Sequence, residues 1–167
     1  DISGFPVWGT INGPASVSKG IEIESRFNVV PGWQLQHSST YNRARWDATK
    51  EVCLFADGTA CRTFERGGEL GGSPRIKHML GVRWDGALAS GLGLNASLRA
   101  RFTGKKLSDR SDGPGETIFT YDSYTLWNAS VGVSSGTWDA NLWVENLTDK
   151  RALASFHVYA EFGLDLR

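Results

Sequence analysis

The side chains able to do chemistry in this sequence are few, and their spacing argues against catalysis. His37, His78 and His157 fall on three separate stretches, no serine occupies a Gly-x-Ser-x-Gly elbow, and neither cysteine has a base placed beside it. No paired nucleophile and base results. Glu22 and Glu24 stand two apart and suggest a carboxylate pair, but Arg26 follows at the same spacing and shares their face if the stretch is a strand. Cys53 and Cys61 lie in a polar stretch with the turn signal Asp57-Gly58 between them. That spacing permits a small disulfide-closed loop, which would imply an oxidising compartment; two unpaired thiols in a cytosolic loop are the alternative. Neither a Cys-x-x-Cys nor a His cluster accompanies them, and Asp109, Asp112 and Glu116 match no EF-hand, so no metal or other cofactor is expected.

The elements that must position these side chains are strands. From Phe119 to Lys150 the chain reads as a hairpin. Thr125, Trp127, Ala129, Val131 and Val133 share one face, Ser134-Ser135-Gly136 turns, and Trp138, Ala140, Leu142 and Val144 share a face of the second arm. The same two-residue period marks Ile21, Ile23, Phe27 and Val29, then Ile76, His78, Leu80, Val82 and Trp84, and most clearly Leu92 to Phe102. Trp33 to Trp46 is the weakest strand, because His37, Ser38, Ser39 and Thr40 dilute its apolar face. Phe156 to Leu166 reads as the last. Gly13-Pro14 interrupts the first long stretch, from Phe5 to Val30, and predicts a bulge there. The sequence therefore predicts an all-β chain, an antiparallel up-and-down meander of about seven strands, with no window carrying an apolar stripe at helical spacing.

Composition excludes several partners. Eighteen basic and eighteen acidic residues cancel, so no field of one sign points to nucleic acid or to an anionic membrane surface. No window approaches the run of about eighteen apolar residues that a membrane helix needs, which leaves a barrel open, since its lipid face takes every second residue. The chain opens at Asp1 without the basic and apolar regions of a signal peptide, which is expected either to have been removed or not to belong to this chain.

Connections alternate in length. They are short around Pro31, Ser90 and Ser135 and longer at 47–74, 104–117 and 149–155, as when one set faces the periplasm and the other the outside. Trp33, Trp84 and Trp138 lie beside short turns, and Trp46, Phe102, Tyr121 and Tyr124 toward the longer loops, which predicts an aromatic girdle at each end. The competing architecture is a soluble β-sandwich that binds carbohydrate, in which some of the seven tryptophans stack on sugar rings. In that case they would converge in a cleft instead of lining up near the turns.

The order of local patterns resembles a known family. Asn12-Gly13, then Lys19-Gly20-Ile21-Glu22-Ile23-Glu24, Pro74 to His78, Gly104-Lys105, Tyr124-Thr125-Leu126 and finally Val144-Glu145-Asn146-Leu147-Thr148-Asp149-Lys150 are similar to the C-terminal barrel of TonB-dependent outer-membrane receptors. The last segment is the most specific, although Arg151-Ala152 stands where the family usually has an aromatic. The resemblance implies that residues 1–167 are a fragment of a transmembrane β-barrel of about 22 strands in the bacterial outer membrane. The N-terminal plug domain and the earlier strands would be absent, and the terminal aromatic expected on the last strand is missing too. It implies lipid, the plug, TonB acting through the plug, and a scarce small-molecule ligand such as a ferric siderophore or cobalamin as partners.

In such a barrel Glu22, Glu24, Arg26, Lys77, Arg83, Arg99 and Arg101 are expected to face the lumen, as plug contacts, solvated wall or contacts to an anionic ligand. Ligand capture is expected from the loop between Lys50 and Arg66, with Phe55 and Phe64 as aromatic surface and Arg62 and Arg66 as charge. The bland alternative is a loop that only shields the barrel mouth.

Overall fold

The computed structural model describes residues 12–53, 61–108 and 118–153. Among them there are ten strands and no helix: β1 (Ser16–Val30), β2 (Trp33–Trp46), β3 (Lys50–Cys53), β4 (Cys61–Phe64), β5 (Ile76–Ala87), β6 (Gly93–Thr103), β7 (Lys106–Leu107), β8 (Thr120–Tyr121), β9 (Tyr124–Ser135) and β10 (Trp138–Val144). The six long strands form one antiparallel sheet in the order β1-β2-β5-β6-β9-β10, a meander. Two short pairs, β3-β4 and β7-β8, stand apart from it at the end of the longer connections.

Register turns six separate alternations into two continuous faces. Cross-strand partners share a face, so the row Phe27–Leu35–Val82–Leu98–Ala129–Val144 runs unbroken across all six strands. Rows above and below it, Ile21–Tyr41–Ile76 and Trp33–Trp84–Ala96–Val131–Leu142, belong to the same face. Nothing described covers it. Ile21 is 66% exposed, Phe27 56% and Leu142 67%, whereas Tyr121 at 7% is the one buried large hydrophobic side chain among the described residues. An apolar face this continuous is worth roughly 1.5–3 kcal/mol per large side chain once removed from water, and in the described residues no second protein layer does so. From Val29 to Ile21 is eight steps along β1, about 27 Å, close to the apolar band of roughly 25 Å on a membrane barrel.

Trp33, Trp84 and Trp138 lie on this apolar face beside the short turns, with the Trp33 and Trp84 rings 6.4 Å apart. Trp33 and Trp84 share a row and Trp138 stands four residues further along its strand, so the three line the short-turn end of one face, the arrangement of an interfacial belt on tilted strands. The belt at the other end differs from expectation. Trp46 and Tyr124 pair with Ser16 and Thr103 on the polar face, and Tyr121 belongs to β8, so Tyr41 and Phe102 are the aromatics that remain on the apolar face there. Parity decides this, because nearness to a loop says nothing about which face a residue takes.

Local chemistry sets the turns. Pro31 holds its φ and Gly32 takes φ 80°, the positive value that the second central residue of a type II turn requires. Such a turn twists against its strands, and the register shift between Asn28 and Val30 absorbs the mismatch. The interruption expected at Gly13-Pro14 is not a bulge within a strand; both precede β1, which begins at Ser16. The first residues of the long stretch from Phe5 and the strand expected over Phe156 to Leu166 lie outside the described residues. The irregular segments expected at 47–74 and 104–117 hold pairings that sequence periodicity missed, since strands of two to four residues are too short to show a period.

Gly20 marks the tightest backbone approach along β1. A Cβ there would collide with the Tyr41 carbonyl oxygen and lie 3.0 Å from the Asn42 Cα, both backbone atoms of the paired strand. Gly20→Val is therefore expected to lower stability by about 1–3 kcal/mol, read from urea unfolding of the intact protein in detergent micelles. Unchanged stability would contradict the β1–β2 register.

Candidate functional site

Two groups of side chains have the exposure and chemistry to bind something: a disulfide-closed hairpin at the long-loop end, and the charged side chains of the polar face.

The hairpin is built on β3 and β4, where Cys53 pairs directly with Cys61 across the strands and forms a disulfide. Below it, β2 acts as a post. The Trp46 N–H donates to the Gly68 carbonyl at 2.9 Å, the Gly67 N–H to the Trp46 carbonyl at 2.8 Å, and the Leu70 N–H to the Ala44 carbonyl at 3.1 Å. The chain leaving the hairpin thus continues along the edge of β2 that β5 takes lower down. Phe64 meets the Trp46 indole edge-on at 4.9 Å, and the Arg62 guanidinium sits 5.2 Å above the Phe64 ring. Arg66 is held by its backbone N–H to Thr49 Oγ1 at 3.1 Å, while its exposed guanidinium stands 3.9 Å from Asp47. Arg62, Phe64 and Arg66 therefore lie on one ordered projection; Phe55 lies outside the described residues. Glu69 takes both of its oxygens to Arg75, and this hydrogen-bonded pairing raises the Arg75 pKa.

The second long connection is clamped as well. Lys106 and Leu107 pair with Tyr121 and Thr120, and the Ser108 N–H donates to the Phe119 carbonyl at 2.7 Å. The Gly72 N–H donates to the Leu107 carbonyl at 2.9 Å, so the two long connections are joined to each other. Their described residues form a joined rim at this end of the sheet.

On the polar face the register brings all seven expected charged residues together. Glu22–Thr40–Lys77 is one row, Glu24–Ser38–Met79–Arg101 the next and Arg26–Gln36–Gly81–Arg99 the third. Arg83 is neutralised by Asp85 through two hydrogen bonds of 2.8 and 2.7 Å. Glu22 accepts from Thr40 Oγ1 at 3.2 Å. Lys77, Arg99 and Arg101 have no ion-pair partner among the described residues. Strands lie about 4.8 Å apart, so the β1 carboxylates are two or three strands away and out of reach. The unpaired cations of β5 and β6 on this face thus stand apart from the two carboxylates of β1, which carries Arg26 as well.

One cluster escaped the sequence reading. The β2–β5 register sets Ser39 opposite His78, and Ser39 Oγ lies 2.8 Å from His37 Nε2 and 2.6 Å from His78 Nδ1. His78 also stacks on Phe102 at 5.9 Å. All three polar residues belong to the apolar face. The available signal was parity: His37, Ser39 and His78 each occupy apolar-face positions of their own strand. His157 lies outside the described residues, and no group of three or more potential metal ligands occurs among them.

The Asn146 to Lys150 segment closes β10 against β9. The Asn146 N–H donates to Asn128 Oδ1 at 3.0 Å, the Leu147 N–H to the Trp127 carbonyl at 2.7 Å, and Asn146 Oδ1 accepts from the Lys150 N–H at 2.9 Å. Asn146 and Asp149 both adopt positive φ, 52° and 47°, which asparagine and aspartate tolerate better than other side chains. The Asn and Asp of this motif are thus the residues its tight turn requires.

Residues 1–147 match the family model described as TonB dependent receptor-like, beta-barrel. No curated protein and no solved structure matches the chain.

Reducing the Cys53–Cys61 bond should loosen the hairpin alone, since β3 and β4 pair with each other and not with the large sheet. Trypsin cleavage after Arg62 and Arg66 is expected to accelerate roughly 10- to 100-fold, as closing a short loop contributes about 2–3 kcal/mol. Cleavage at an unchanged rate would show that the contacts of Phe64 and Trp46 suffice.

Proposed function

We propose a function from one premise: this chain belongs to the TonB-dependent receptor-like β-barrel family. The family comprises transporters of the bacterial outer membrane, not enzymes. In the reading we infer, residues 1–167 form one portion of the barrel wall of a receptor completed by further strands and an N-terminal plug. The apolar face meets lipid, and the polar face with Glu22, Glu24, Arg26, Lys77, Arg83, Arg99 and Arg101 lines the lumen. The clamped rim faces the outside. A scarce ligand of ferric-siderophore or similar type is captured at the rim, and TonB acting through the plug supplies the energy for import.

The observation that carries this reading is the strict register of two opposite faces over six strands, one apolar and uncovered among the described residues, the other polar. A closed wall in a membrane needs that sheet, because lipid covers one face and a wet interior the other. Charge favours an anionic ligand. Lys77, Arg99 and Arg101 stand without acidic partners among the described residues, and Arg62 and Arg66 present guanidinium groups on the rim. Arg is suited to this task, since its planar fork matches carboxylate oxygens.

The test uses the complete receptor expressed in a deletion strain under iron limitation. Uptake of a radiolabelled anionic ferric siderophore should require both the receptor and an active TonB partner. Arg62→Ala with Arg66→Ala should weaken surface binding about tenfold. Lys77→Gln with Arg99→Gln and Arg101→Gln should slow import while leaving surface binding in place. Uptake that persists without TonB would overturn the energised reading, and binding indifferent to the rim variants would overturn the assigned capture site.

A further inference from the structure

We propose that Asn12-Gly13 is a site of self-modification, at which the Asn12 side chain loses its amide through a cyclic imide and the Lys50 ammonium promotes ring closure. The product is an aspartate or isoaspartate just ahead of β1. This chemistry goes beyond the transport reading and does not depend on it.

The local sequence supplies the reactants. Ring closure at an asparagine is least hindered when glycine follows, because the attacking nitrogen then belongs to a residue without a Cβ. The Gly13 nitrogen gives its proton to hydroxide and attacks Asn12 Cγ, the Cγ–Nδ2 bond breaks, and ammonia leaves with a proton taken from water. Water then opens the five-membered imide. Opening at Cγ gives aspartate, and opening at the main-chain carbonyl carbon gives isoaspartate, with the chain now running through Cγ. Nothing is oxidised or reduced.

The structure adds exposure and a cation. Asn12 and Gly13 are both exposed and precede β1, whose pairing with β2 begins at Ser16 and Trp46. Neither the Asn12 side-chain amide nor the Gly13 N–H has a hydrogen-bond partner among the described residues. Lys50, the first residue of β3, donates from Nζ to the Asn12 carbonyl oxygen at 2.9 Å. That oxygen belongs to the same peptide group as the attacking nitrogen. When the Gly13 nitrogen loses its proton, peptide resonance shares the negative charge with this oxygen. An ammonium already in place stabilises the anion as it forms, so more of the reactive nitrogen is present at a given pH.

A second pair shows that sequence alone does not decide reactivity. Asp85-Gly86 could close the same imide, but both residues lie in β5, paired with Asn95 and Leu94 of β6. The Asp85 N–H donates to the Gly32 carbonyl at 2.7 Å, and its carboxylate accepts two hydrogen bonds from Arg83. A ladder-bound backbone cannot swing its nitrogen onto a side chain, and an ionised carboxylate resists attack. Asn12-Gly13 has neither protection. Its conversion sets a carboxylate near Lys50 at the start of the hairpin that carries Arg62 and Arg66, and no later step in the sequence restores the amide.

The experiment incubates the complete receptor in detergent micelles at mildly alkaline pH for several days. Acid in place of amide is read from the mass of the tryptic peptide ending at Lys19, and isoaspartate from methyl transfer by an isoaspartate methyltransferase. Product should accumulate at Asn12 and be absent from Asn12→Gln. Gly13→Ala should slow it at least about tenfold, and its added methyl group fits, since a Cβ there lies 3.8 Å from the Trp46 ring. Lys50→Gln is expected to slow the reaction about two- to fivefold, and Lys50→Arg to restore the native rate. High salt should bring the native rate down to that of Lys50→Gln, a response that a purely structural role for Lys50 would not give. The excised tryptic peptide, which lacks Lys50, should react more slowly than the receptor. Absence of acid at Asn12 would overturn the site. A receptor slower than its excised peptide, or a native rate in Lys50→Gln, would overturn the part assigned to Lys50. Folding of every variant is checked by heat-modifiable gel mobility.

Discussion

A slip of one residue anywhere between β1 and β10 would turn a whole strand inside out, and the rest of this structure depends on that not happening. The row from Phe27 to Val144 crosses six strands without a break, so each ladder inherits its parity from the one before. Turn chemistry protects the count. Pro31-Gly32 with the offset at Asn28 and Val30 sets β1 against β2, and Gly20 lets their backbones meet closely. Because a sheet of this kind has almost no interior, its stability cannot come from a packed core. It comes from ladder hydrogen bonds and from whatever covers the apolar face.

The long connections follow a different logic. They are stiffened by short pairings, a disulfide, the edge of β2 that anchors residues 67–70, and the Gly72–Leu107 hydrogen bond that joins one connection to the other. Ordered loops present their side chains at low entropic cost, which suits Arg62, Phe64 and Arg66 to recognition. The Arg62–Phe64–Trp46 stack is also the point where the hairpin is secured to the sheet. Support and display coincide in the same residues.

The two faces solve the burial of polar groups in opposite ways. On the polar face, Arg83 is matched by Asp85 while Lys77, Arg99 and Arg101 are left for a solvated or anionic surrounding. On the apolar face, the histidines and Ser39 satisfy most of one another's hydrogen bonds. That internal pairing is what makes three polar residues tolerable in the middle of an apolar band.

Much of this was legible beforehand. The all-β meander, the barrel family and the strands at Trp33 to Trp46 and Leu92 to Thr103 followed from two-residue periodicity and a handful of ordered motifs, because alternation is a local property that needs no knowledge of neighbours. Even the common face of Glu22, Glu24 and Arg26 is a matter of counting along one strand. What required the tertiary structure is whatever depends on register between strands. Periodicity showed His37 and His78 on separate elements, and the β2–β5 ladder set them on either side of Ser39. Register elsewhere moved Trp46 and Tyr124 off the expected girdle, paired β3 with β4 inside one supposed loop and β7 of the other with β8 beyond it, and lined Lys19 up with Arg43 past the apolar band. Pairing across strands is a long-range choice, settled by the summed fit of all the ladders, and no stretch of the chain carries it alone.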